Sequence, residues 1–126
     1  MRNGGAGTIS ATANVNPAAI CELYQKCGGV RRGERGADTK ALAAGSAYTT
    51  ELDALQARVN VVREVFSSRK FPSMIAALKQ AIAIYADDPA WRTVRPPLVE
   101  LTPEQAKTLG EELSAISFEM ELKRKN

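Results

Sequence analysis

A mainly α-helical fold is what this sequence predicts, and three observations predict it. Apolar residues recur at spacings of three and four along three stretches, and each stretch opens on a capping or proline signal. Only one short run is rich in small and β-branched residues. Of the 126 residues 44% are hydrophobic and 25% charged, which places the chain with folded domains and sets disorder throughout aside.

Taken in order, Gly4–Val15 holds the β-prone run, and residues 7 to 12 are expected to form a short strand. Asn16 and Pro17 then supply an N-cap and a first-turn proline. Ile20, Leu23 and Tyr24 follow at helical spacing until Gly28-Gly29, predicting a helix near 17–27. From Gly28 to about Thr49 glycine, arginine and alanine dominate without a period, which reads as loop with one helical turn near Thr39–Ala44. Thr50 caps the next helix, near 51–68, whose stripe is Leu52, Leu55, Val59, Val62 and Phe66, with Glu51, Arg58 and Glu64 off it. After Phe71-Pro72 a helix near 73–86 carries Ile75, Leu78, Ile82 and Tyr85, and alanines at 76, 77, 81, 83 and 86 permit close packing. The prolines of Trp91–Glu100 exclude a regular helix, so this is a connecting arm. Thr102-Pro103-Glu104-Gln105 is a capping box opening a last helix, near 103–122, with Leu109, Leu113, Ile116 and Met120 as its stripe.

The residue inventory removes several function classes. There is no histidine, so a Ser-His-Asp triad, a Cys-His pair and an imidazole base are all excluded, and Cys21 and Cys27 lack the further ligands of a zinc site. Two reduced thiols fit a reducing compartment. The net charge of +3 comes from 17 basic against 14 acidic residues, with the excess at Arg31–Arg35 and Lys123–Lys125. Without aromatic partners along a basic stripe, that excess reads as solvated surface, and no nucleic-acid partner is expected. No run reaches the roughly 18 apolar residues of a membrane span, the first residues lack a signal peptide's apolar core, and a cytoplasmic location is expected. The order of a phosphate-binding glycine loop is missing. Catalysis would fall to lysine, tyrosine, carboxylates or the backbone.

One strand with four helices leaves a strand whose edges have nothing to pair with. At this point the residues resemble a known family. Gly4-Gly5-Ala6-Gly7-Thr8-Ile9-Ser10-Ala11-Thr12-Ala13-Asn14-Val15 is similar to the eighth-strand signature of the dihydrodipicolinate synthase and N-acetylneuraminate lyase family. The helix after Asn16-Pro17, the Leu55–Asn60 helix, the Pro72–Ile82 helix with Lys79, and the Arg95-Pro96-Pro97-Leu98 arm before a final helix agree in order. About residues 28–49 and the last few residues fall outside the likeness.

The resemblance implies the last strand and helix of a (β/α)8 barrel in residues 1–30, an irregular insert or linker in 31–49 and a C-terminal helical region in 50–126. It implies a pyruvate-dependent class I aldolase that condenses or cleaves pyruvate and an aldehyde through a lysine Schiff base. That lysine is expected upstream of Met1, so no catalytic residue is assigned within the chain. The one site role implied here is for Ile9, whose backbone carbonyl would face the imine at the C-terminal face of the barrel. Sialate-cleaving relatives place a serine where this chain has Ala11, which disfavours sialate, with Ser10 and Thr12 nearby. Among the lysines, Lys79 lies between apolar positions and is the first to consider for an imine, whereas Lys26, Lys40, Lys70, Lys107, Lys123 and Lys125 read as solvated. No cofactor and no metal are expected, and a homo-oligomer is. The alternative is a non-catalytic helical assembly module derived from that family.

Overall fold

The computed structural model describes residues 8–27 and 46–120, and within Ser46–Thr49 the backbone alone. Among the described residues there are four α-helices: α1 (Pro17–Lys26), α2 (Ser46–Phe66), α3 (Met74–Ala86) and α4 (Pro103–Ala115). Two short 3₁₀ turns accompany them, Ala11–Asn14 ahead of α1 and Pro89–Arg92 after α3. The expected turn at Thr39–Ala44 and the basic runs at Arg31–Arg35 and Lys123–Lys125 lie outside the described residues. No described helix is long and apolar enough to cross a membrane.

The expected strand over residues 7–12 does not form among the described residues. Thr8–Ser10 carry no regular structure, Ser10 has extended angles (φ −133°, ψ 127°), and the chain turns at once into the 3₁₀ segment. An extended segment becomes a strand only when a neighbour takes its backbone groups, and no described segment lies alongside to do so.

Local chemistry explains the helix ends. Ser73 caps α3 by accepting a hydrogen bond from the Ala76 N–H at 3.1 Å. At α4 the capping box is complete: the Gln105 N–H donates to Thr102 Oγ1 at 3.2 Å and the Thr102 N–H donates to Gln105 Oε1 at 3.0 Å. The Gln105 amide also donates to the Lys70 carbonyl at 2.9 Å, tying the start of α4 to the link between α2 and α3. Helices α3 and α4 both end in Schellman motifs on a non-glycine residue with positive φ, Asp87 and Ser117, each at 51°. In the first, Asp88 N–H donates to Ala83 O at 3.1 Å and Asp87 N–H to Ile84 O at 3.4 Å. In the second, Phe118 N–H reaches Leu113 O at 2.9 Å and Ser117 N–H reaches Ser114 O at 3.0 Å.

That second motif ends α4 seven residues before the expected 122, because Phe118 turns back into the core instead of continuing the helix. Its ring meets Phe66 edge-on (centroids 6.3 Å apart, planes at 82°) and Tyr85 likewise (5.7 Å, 87°). The Tyr85 hydroxyl donates to the Phe118 carbonyl at 2.6 Å. Helix α2 starts at Ser46, inside the segment expected to be irregular and four residues before the Thr50 cap.

The core is built where α2, α3 and α4 meet, from Val62, Phe66, Phe71, Ala77, Leu78, Ala81, Leu109, Leu113 and Phe118, with Val15 brought in by the 3₁₀ turn ahead of α1. On α3 it is the alanines that are buried: Ala76, Ala77, Ala81 and Ala83 are at most 7% exposed, while Ile75 is 52% exposed. Small side chains let helix axes approach, and a longer residue at the same contacts would force them apart. Exposed ion pairs decorate this framework: Lys26–Glu51 at 2.8 Å between α1 and α2, Lys70–Glu112, and Lys107–Glu111 at 3.8 Å. Such pairs contribute about 0–1 kcal/mol each, so packing and not charge holds the helices together.

Candidate functional site

The N-terminal described segment, α1 and α2 enclose an open cleft of about 590 Å³. One wall is α1, which has no fully buried residue and presents half-buried Ile20, Leu23 and Tyr24, with Cys27 at its end. The opposite wall is α2. Leu52 and Val59 come from its apolar stripe, and beside them runs a polar row, Asp53, Gln56, Asn60 and Arg63, at spacings of 3, 4 and 3. Gln56 Nε2 donates to Asn60 Oδ1 at 3.0 Å, so two members of the row hold each other in place.

The remaining edge is the N-terminal described segment. Thr8, Ile9, Ser10 and Thr12 all line the cleft. Ile9 is fully exposed. The residues after it are firmly held. Thr12 is 3% exposed and its carbonyl accepts from both Val15 N–H (3.1 Å) and Asn16 N–H (2.9 Å). The Asn14 amide donates to the Ala11 carbonyl at 2.8 Å, and Val15 is anchored in the core at 1% exposure. The hydroxyls of Ser10 and Thr12 are 2.8 Å apart and bond to each other. Ala11 between them is exposed and apolar.

Ile9 therefore stands at the cleft edge, ahead of a 3₁₀ turn and not within a strand. Its side chain is in solvent. No described lysine lines the cleft. Lys79 is half-buried on α3, Lys26 and Lys70 are engaged in ion pairs, and Lys107 faces Glu111. Lys40, Lys123 and Lys125 lie outside the described residues. No group of three or more Cys, Asp or Glu among the described residues is gathered as a metal site would require. The polar row on α2 was missed in the sequence, although its signal was available: it has the same three-and-four spacing as the apolar stripe, displaced by one residue.

Two ionisable groups outside the cleft are perturbed. Loss of solvent around the Tyr85 phenol, reinforced by the negative charge of Glu119, raises its pKa above the ordinary 10.0. The Glu104 carboxyl is held below its ordinary value by a hydrogen bond from its own backbone N–H and then by one from the Thr102 hydroxyl. Both belong to helix ends and packing, not to the cleft.

Comparison of the chain with protein-family models, with curated proteins and with solved structures gives no match.

Proposed function

We propose that this chain is the C-terminal end of a dihydrodipicolinate synthase-like lyase or synthase, which joins or splits pyruvate and an aldehyde through a lysine Schiff base. The observation that supports it most is the cleft edge itself: exposed Ile9, followed by a braced turn and then a helix, carried on the Gly4–Val15 run whose sequence resembles the family's eighth strand. In the proposed reaction a neutral lysine amine adds to the pyruvate ketone, and loss of water gives an iminium. Removal of a methyl proton leaves an enamine, which attacks the aldehyde carbon. The amine would come from upstream of Met1, since no described lysine reaches the cleft. The contribution of this chain would be the Ile9 carbonyl, an oriented dipole that costs little reorganisation as charge develops on the imine.

The same edge bears on the aldehyde. Exposed Ala11 offers no hydrogen bond to a sugar hydroxyl, although the Ser10 and Thr12 hydroxyls lie beside it, bonded to one another. A sialic-acid-type substrate is therefore disfavoured. Determining the coding sequence immediately ahead of Met1 tests the reading: an in-frame run of alternating strands and helices with a strand-borne lysine is expected. An upstream sequence with no such lysine would overturn it.

The second reading, a non-catalytic assembly module, is favoured by the exposed apolar residues Val61, Ile75, Ile84, Trp91 and Val99. Sedimentation over a range of concentrations tests it. A monomer at every concentration would remove it.

A further inference from the structure

We draw no further inference here: the strongest candidate, the open cleft between α1 and α2 with the polar row Asp53, Gln56, Asn60 and Arg63 facing half-buried Ile20, Leu23 and Tyr24, is an unpartnered surface, and nothing in the structure shows what covers it.

Discussion

Replacing Phe118 with alanine removes the ring with which the segment just after α4 closes over the helices. Phe118 is 8% exposed and packs edge-on against both Phe66 and Tyr85. Withdrawing a phenylalanine ring from a core of this kind costs about 3–5 kcal/mol, the lost aromatic pairs contributing roughly 0.5–1.5 kcal/mol apiece within that figure. Against a total stability on the order of 5–15 kcal/mol, that is a large share. Urea unfolding followed by helical circular dichroism reads it as a lower midpoint at unchanged slope. Phe118→Leu, which keeps most of the volume, should lose only about 1–2 kcal/mol and covers the case in which the alanine variant does not fold. Tyr85→Phe removes one hydrogen bond to the Phe118 carbonyl, for about 1 kcal/mol. Because the carbonyl shifts when the Phe118 ring is lost, the double variant should be less damaged than the sum of the two singles. An alanine variant weakened by less than about 1 kcal/mol would refute the reasoning, since Phe118 would then lie outside the core.

The phenol of Tyr85 gives an alkaline signature. Its folded pKa is raised, so its contribution to stability is complete below the unfolded value of 10.0 and is lost as pH rises through the higher folded value. Ultraviolet titration of phenolate should show one late-ionising tyrosine that disappears in Tyr85→Phe. At the end of α4, Ser117→Gly relieves a left-handed strain of roughly 1 kcal/mol and gives back about half of it through a freer unfolded chain. A small rise in melting temperature is expected, and a fall would contradict the capping geometry. Thr102→Ala breaks the capping box and should cost about 1 kcal/mol by thermal melting at neutral pH. It also removes one of the two hydrogen bonds that depress the Glu104 pKa. That carboxylate stabilises the fold above its unfolded value of 4.5, and the effect is lost as pH falls through the lower folded value. In Thr102→Ala this acid loss should therefore be smaller and be complete at a higher pH.

Much of the helical framework was legible because the signals are local. Pro17 and the Thr102–Gln105 box act within one turn of the helix they begin, and the starts of α1 and α4 follow from them. What could not be read depends on distant partners. Ile75 has the size and spacing of a core residue, yet the close approach over Ala77 and Ala81 turns α3 so that Ile75 is left in solvent. Helix α4 ends at Ala115, and the chain turns at Ser117, because Phe118 is drawn to Phe66 and Tyr85, 52 and 33 positions away in sequence. A run such as Gly7–Thr12 advertises a strand through its side chains, but pairing belongs to a neighbour, and among the described residues the backbone bends into a 3₁₀ turn instead. Of the candidate cleft, the sequence singled out Ile9, which lines it. The polar row on α2 was not, because nothing in its spacing says that α1 leaves that flank open.

The measurement that tests the proposed chemistry most directly is borohydride reduction in the presence of pyruvate, with the intact protein weighed afterwards by mass spectrometry. The chain alone should gain no pyruvyl adduct, because none of its described lysines lines the cleft beside Ile9. Joined to its upstream sequence, it should gain one adduct per chain, on a lysine ahead of Met1. A stoichiometric adduct on the chain alone, mapped to Lys79 or any other of its lysines, would contradict the account.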